Sequence, residues 1–442
     1  MSDYGQALAI DLTTVFLCLG LLARFGNLQL SHPAVPYIVF HVHTVTTRLA
    51  GLLNGAPTLY ADTIYGFEPV LAEEIVRAAL YADIAFLAVT TVWIVVKLPP
   101  GGVKPAQSSI MLEARLLRPV LFFSFCLGVV GLRLVTKVPG IDYYDWDPAS
   151  AWNSSSYILM LPSWFGLAVL GHIYFYGFKK WTSLLLAFYL VLMALQGGLR
   201  FRFIIGLLLA VQIWVEHRHR RWPTRPMFVA LAASALLFFP MKDAGYLILY
   251  GGTFEEVSDT VTDSVTEVAA GSAGDQMFLD EYASGLTLLD LQGKKYYGSI
   301  YLPLLTLPVP RYFWPDKPVL AGFVTDISSR SRPMATSGMI VTYLGEAYAN
   351  FGLAGILIVP PILALFLVIF YRHAYLAPPG SVMRFSYILL AVNLIQVFRD
   401  GLVSIVVFTF VNMMPLVVII LLHLGAAAVR KRRHLGLASF SQ

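Results

Sequence analysis

GLAGILIVPPILALFLVIFY, residues 352–371, is a run of uncharged and mostly apolar residues about as long as a helix needs to cross the hydrocarbon core of a bilayer. Just before it stands GEAYAN, 345–350, with a single acid, Glu346. Read as a helix, Thr342, Glu346 and Asn350 fall four apart, so a hydroxyl, a carboxylate and an amide share one face. Leu344, Ala347 and Phe351 point elsewhere. A carboxylate where a polar segment dips into a membrane is costly and marks a functional position.

The rest of the chain extends the same pattern. Hydrophobic residues make up 57% of its 442 residues, charged residues 13%, and the mean hydropathy is +0.70. Soluble domains carry about a quarter charged residues, so the composition excludes them and points to an all-α polytopic membrane protein. About 11 spans (10–12) are expected, centred on 7–23, 35–53, 77–96, 117–136, 157–177, 181–196, 201–215, 226–241, 352–372, 384–398 and 402–423. Several are short, as re-entrant or tilted helices are. The chain divides into helices 1–8 over 1–240, one large outer loop over 241–338, and a C-terminal membrane part over 339–442 with a basic tail.

Loop charge orients the spans. The segment 97–118, Lys179 and Lys180, HRHRR at 217–221, Arg372, Arg384 and RKRR at 430–433 fall on one side, which the positive-inside rule makes cytoplasmic. The net charge of +5 therefore reflects topology and not nucleic-acid binding. The outer loop is acidic from Thr253 to Asp275, then turns basic and aromatic through KKYYGSIYLPLLTLPVPRYFWPDKP, 294–318. Its tyrosines, with Phe313 and Trp314, suit interfacial helices. The start, MSDYGQ, lacks the features of a cleaved signal, and Cys18 and Cys126 read as small core residues.

Against the positive-inside bias, Arg200, Arg202, Arg311, Lys317, Arg330, Arg332 and Arg399 all reach the outer face, where Glu346 also lies. Clustered guanidinium groups match phosphate or pyrophosphate, which arginine grips bidentately. Blander readings exist for each. Arg399 can pair with Asp400, Arg202 can snorkel to the interface, and Lys317 and Arg330 can be solvated. Asp11, Arg48, Asp83 and Arg133 inside spans can pair within the bundle or face a lipid groove. His41 and His43 read as packed side chains and not ligands, since no cysteine or carboxylate lies near them in sequence. No P-loop, GxSxG, HExxH or DxD motif occurs.

GGLRFRFI at 197–204, VPRYFWPDKP at 309–318, GEAYANFGLAG at 345–355 and FRDGL at 398–402 resemble, in that order, bacterial O-antigen and oligosaccharide repeat-unit polymerases, among them the enterobacterial common antigen polymerases. The resemblance covers about the C-terminal two thirds and departs at Leu199, where the family more often has threonine or serine. It implies a glycosyltransferase of the bacterial cytoplasmic membrane, working on the periplasmic side without cofactor or metal. A growing glycan would pass from undecaprenyl pyrophosphate to a lipid-linked repeat unit. Membrane lipids, a chain-length regulator and a flippase are the partners it implies; nucleic acid is not. Glu346 and Arg200 would be catalytic, with Arg202, Arg311, Lys317, Arg330, Arg332, Tyr343, Asn350 and Arg399 holding substrate and pyrophosphate. Rival readings are an O-antigen ligase-type enzyme, a transporter of lipid-linked oligosaccharide, and a scaffold that binds such lipids for a partner synthase.

Overall fold

The computed structural model describes residues 3–63, 66–96, 114–136, 156–195, 200–238, 252–270, 277–306, 342–403 and 413–422, with isolated positions 244, 247–248, 314, 409 and 425. Helices α1 (Asp3–Phe25), α2 (Ala34–His41) and α3 (Thr47–Leu53) come first, the last two joined by a π-helical turn, Val42–Thr46. Strands β1 (Tyr60–Thr63) and β2 (Gly66–Pro69) then pair antiparallel, Tyr60 opposite Pro69. This short hairpin is a local addition to a chain that is otherwise helical over the described residues. Helices α4 (Ala72–Val95), α5 (Ala114–Thr136), α6 (Ser156–Tyr176), α7 (Lys180–Leu195), α8 (Arg200–His217) and α9 (Arg225–Phe238) follow.

The expected outer loop contributes α10 (Phe254–Ala270), α11 (Phe278–Gln292) and the short α12 (Leu302–Thr306). The chain then continues as α13 (Tyr343–Phe351), α14 (Leu353–Leu376), α15 (Val382–Asp400) and α16 (Met413–Leu422). Among the described residues, four helices are long and apolar enough to cross a membrane: Asp3–Phe25, Ala72–Val95, Leu353–Ala374 and Val382–Asp400. The fold is thus that of a helical membrane protein.

Local chemistry sets several helix ends. Glu73 and Glu74 stand in the first turn of α4, facing the positive end of its dipole, and Glu74 accepts the Leu71 N–H at 3.0 Å. Thr253 and Glu256 bond each other's backbone N–H at the start of α10, a reciprocal cap. Gly293, at φ 59°, closes α11 in the left-handed conformation.

Among the described residues, two large apolar cores share α15, beside a small cluster of Tyr371, Ala374, Tyr387 and Ala391. One gathers α1–α4, α11, α13 and α14; the other gathers α5–α8 and α16. In the second, a Cβ on Gly128 or Gly131 of α5 would overlap Phe165 or Leu161 of α6, so glycine lets these two helices approach backbone to backbone. In the first, α11 is buried from Phe278 through Leu289 except at Glu281 and Thr287, and it packs on α4 and α13. Helix α11 precedes the aromatic stretch 294–318 that was expected at the interface, and it is a buried element of the outer segment. The physical reason is Arg48. Its guanidinium grips Asp280 through Nε at 2.8 Å and Nη2 at 2.6 Å, and its Nη2 also donates to the Pro57 carbonyl at 2.6 Å. Both side chains of the pair are fully buried.

Candidate active site

Helix α13 begins where Thr342 leaves the extended conformation. The Thr342 hydroxyl accepts the Gly345 N–H at 3.4 Å, and its carbonyl accepts the Glu346 N–H at 3.0 Å. The helix ends at Gly352, whose φ of 62° an L-residue would adopt only with strain, and α14 starts at the next residue. Thr342, Glu346 and Asn350 do line up, and Asn350 Nδ2 bonds the Glu346 carbonyl at 2.9 Å. The rest of the helix differs from expectation. Leu344 and Ala347 are as buried as the polar row, and only Phe351 is exposed. The polar face therefore looks into protein on all sides.

Glu346 is 1% exposed, and its carboxylate meets the turn after α15. Oε2 accepts the Leu402 N–H at 2.7 Å and Oε1 the Val403 N–H at 3.3 Å. Gly401 makes this approach possible: its φ is 95°, and a Cβ there would overlap both carboxylate oxygens. Burial pushes the carboxyl up from 4.5 to about 8, against the opposing pull of the Leu402 and Val403 amides. Burial, then the nearby Glu346 charge, also pushes the Tyr301 phenol up.

Arg399 lies three residues before Leu402, on the last turn of α15. Its Nε pairs with Asp400 Oδ1 at 2.5 Å, the local pairing weighed above, and its guanidinium sits over the Phe278 ring at 5.1 Å. Segments 345–355 and 398–402 are thus brought together, with the first residue of α11 against them.

Arg200 opens α8, whose other end is tied to the start of α15 by the Glu216–Arg384 ion pair. Helices α8 and α15 share a core through Leu209, Ile213, Phe385 and Leu389. At about 1.5 Å per residue, Arg200 and Arg399 each lie more than 20 Å along their helices from that pair, at the ends remote from it. The side chains of Arg200 and Arg202, and all of Arg311, Lys317, Arg330 and Arg332, lie outside the described residues.

Tyr343 and Asn350, expected to touch substrate, are both fully buried. Tyr343 donates to the Tyr37 hydroxyl at 2.7 Å, and Asn350 Oδ1 accepts the Gly298 N–H at 2.7 Å. The Tyr296 and Tyr297 N–H groups bond the Ala349 and Asn350 carbonyls, both at 3.0 Å, strapping the end of the outer segment onto α13. Tyr348 donates to Asp290 Oδ1 at 2.6 Å, and Asp290 also pairs with Arg77 at 2.8 Å. These groups hold α13 in place, and Tyr343 and Asn350 are spent on neighbours inside the fold.

Sequence reasoning missed the Glu346 partners, which are backbone amides without a side-chain signature. It also set His41 aside for want of a neighbouring carboxylate. In space Asp11 and Asp83 supply two, from α1 and α4. The available signal was the presence of three ionisable residues inside three apolar runs.

No family model, curated protein or solved structure matches the chain.

Proposed function

We propose that the chain is an O-antigen-type polysaccharide polymerase. It transfers a growing glycan from undecaprenyl pyrophosphate to the non-reducing end of a lipid-linked repeat unit, on the periplasmic side of a bacterial cytoplasmic membrane. The proposal includes about 11 spans and an outer segment, 241–338, that roofs the site. The observation that carries it is the joint at Glu346. The two motif pieces that resemble the polymerases there, 345–355 and 398–402, meet through the Glu346 bonds to Leu402 and Val403.

The chemistry follows from the groups at that joint. An acceptor hydroxyl attacks the anomeric carbon, the bond from that carbon to the pyrophosphate oxygen breaks, and the pyrophosphate leaves with the electron pair. Glu346 takes the hydroxyl proton. Two backbone N–H groups occupy part of its roughly four lone-pair sites, and the acceptor reaches the others only when the protein around this buried side chain opens. A carboxyl held at about 8 suits a base that must accept and release a proton near neutrality. Negative charge grows on the leaving pyrophosphate, and preorganised guanidinium groups lower that barrier. Arg200 and Arg399, at the same end of α8 and α15, are the first candidates; Arg202, Arg311, Lys317, Arg330 and Arg332 complete the cationic set.

One observation favours a second reading. Both Glu346 oxygens are engaged and the residue is 1% exposed, which is also the signature of a clamp that fixes the α15 terminus. In that case the arginines alone would catalyse, and Glu346 would be a positioning residue. Purified protein in detergent with a lipid-pyrophosphate-linked repeat unit distinguishes the two. A polymer ladder lost in Glu346→Gln while the fold persists supports the base. A ladder kept by Gln, with a lower thermal midpoint, supports the clamp. No ladder from the wild-type protein discards the polymerase.

A further inference from the structure

The geometry points to a divalent transition-metal site formed by Asp11, His41 and Asp83 inside the helical bundle. The three residues come from α1, α2 and α4, and one ligand atom from each lies within 4.8 Å of the others. They are 0%, 0% and 3% exposed, so no solvent shares their charge. The only buried arginine among the described residues, Arg48, is committed to Asp280.

A proton alone fits this arrangement poorly. Asp11 Oδ1 lies 2.9 Å from His41 Nε2 and Asp83 Oδ1 lies 3.3 Å from that same nitrogen. One N–H can serve one of them well. An imidazolium between two carboxylates would offer a donor to each from its two nitrogens, yet here Nδ1 has no hydrogen-bond partner. Asp11 Oδ2 and Asp83 Oδ2 are likewise buried without one. Two buried carboxylates meeting at one imidazole nitrogen, each keeping an unpaired oxygen, are costly unless a cation stands between them.

The spacing fits such a cation. Ligands about 2.1 Å from a metal lie about 3.0 Å apart at an octahedral edge and about 3.4 Å at a tetrahedral one. The distances of 2.9 and 3.3 Å fall close to that range. Two carboxylates and a neutral imidazole carry two negative charges, which a 2+ ion cancels, and a mixed N/O set selects zinc or manganese over calcium or magnesium. His41 also directly precedes the Val42–Thr46 π turn, a widened turn of the kind that often marks functional positions.

Bound there, the metal pins α1, α2 and α4 to one another. The Tyr37 ring stacks on His41 at 6.5 Å, and Tyr37 in turn accepts the Tyr343 hydroxyl, so the pinned layer braces α13. The role is structural and independent of the glycosyl-transfer reading.

The test uses full-length protein in detergent, loaded with Zn2+ or Mn2+ alone, exchanged into metal-free buffer, and assayed by elemental analysis and thermal unfolding. About one equivalent should be retained, falling to about a tenth or less in Asp83→Asn and His41→Gln. A strong chelator should lower the wild-type midpoint by several degrees and added metal should restore it, a readout that needs no variant. Retention of less than about a tenth of an equivalent with a chelator-insensitive midpoint overturns the site. So does equal metal content in wild type and both variants. Either result leaves the polymerase proposal untouched, because that proposal stands on the ladder assay.

Discussion

In the half built from α1–α4, α11, α13 and α14, the interior holds Asp11, His41, Arg48, Asp83, Asp280 and Glu346. The half built from α5–α8 buries only Ser124, Thr182 and Gln212 among its described polar residues, all of them neutral. One interior is fastened by charges that demand particular partners, the other by backbone approach at Gly128 and Gly131. Buried charge is a poor way to gain stability, because desolvation offsets much of the attraction. It is a good way to fix geometry, since a misplaced partner leaves a charge stranded. The difference therefore separates a half that must hold atoms in register from one that serves as a strut. Helix α15 belongs to both, and the turn that follows it brings the Leu402 and Val403 amides to Glu346.

The sharpest way to break this comparison is to remove one partner in each half. Arg48→Ala strands Asp280 in the interior and should cost about 3–5 kcal/mol of unfolding free energy. Arg48→Met with Asp280→Leu removes both charges and should recover most of it. The Glu216–Arg384 pair of the strut half is 19% exposed at each side chain, and Glu216→Ala should cost no more than about 1 kcal/mol. Thermal unfolding in detergent checks both. Equal losses would mean that the two interiors do not differ in kind.

Glu346 comes next. If it is the base, Glu346→Gln should lower turnover about 10²–10⁴-fold and remove an ascending limb of activity centred near pH 8. The same raised value has a stability consequence. Between pH 4.5 and about 8 the folded chain keeps a proton that the unfolded chain has released. Stability from this group is therefore full at low pH and falls as pH rises through that window. In Glu346→Gln the slope should vanish, and a slope that survives would assign the titration to another group.

How much of this was legible in the sequence depends on whether the signal was local. Each expected apolar segment carries a helix over the residues described, because a run such as 352–371 needs no partner to declare itself. Glu346 declared itself as a lone acid beside that run. By contrast α11, FLDEYASGLTLLDLQ, reads as polar loop because of Asp280, Glu281 and Asp290. Its burial depends on Arg48, 232 residues away, and no local window contains that fact. The hairpin at 60–69 lacks the Asn-Gly or Asp-Gly turn that announces such a pair. His41 was passed over for the same reason as Asp280: its carboxylates arrive from other helices.

A smaller effect is expected at Gly401. Gly401→Ala places a methyl against the Glu346 carboxylate and asks alanine to adopt a φ of 95°, a backbone cost of about 1–2 kcal/mol before any overlap. Gly20→Ala in α1, where a Cβ meets nothing within 4 Å, should be neutral or slightly stabilising. If the two variants unfold alike, the turn has room to move and Glu346 is held less tightly than its two amide bonds imply.

The smallest effect sharpens the account of what holds α13. Replacing its cap, Thr342→Ala, removes a hydroxyl that accepts the Gly345 N–H at a long 3.4 Å. Caps are ordinarily worth about 1 kcal/mol, and one this long should give about half that. A nine-residue helix has little stability of its own in any case. Tyr343 on Tyr37, Tyr348 on Asp290 and Asn350 on Gly298 tie it to three other parts of the fold. Tyr343→Phe, which breaks one of those ties inside the charged half, should therefore cost more than Thr342→Ala. The reverse order would mean that α13 stands on its own first turn, and that the surrounding half follows the helix instead of holding it.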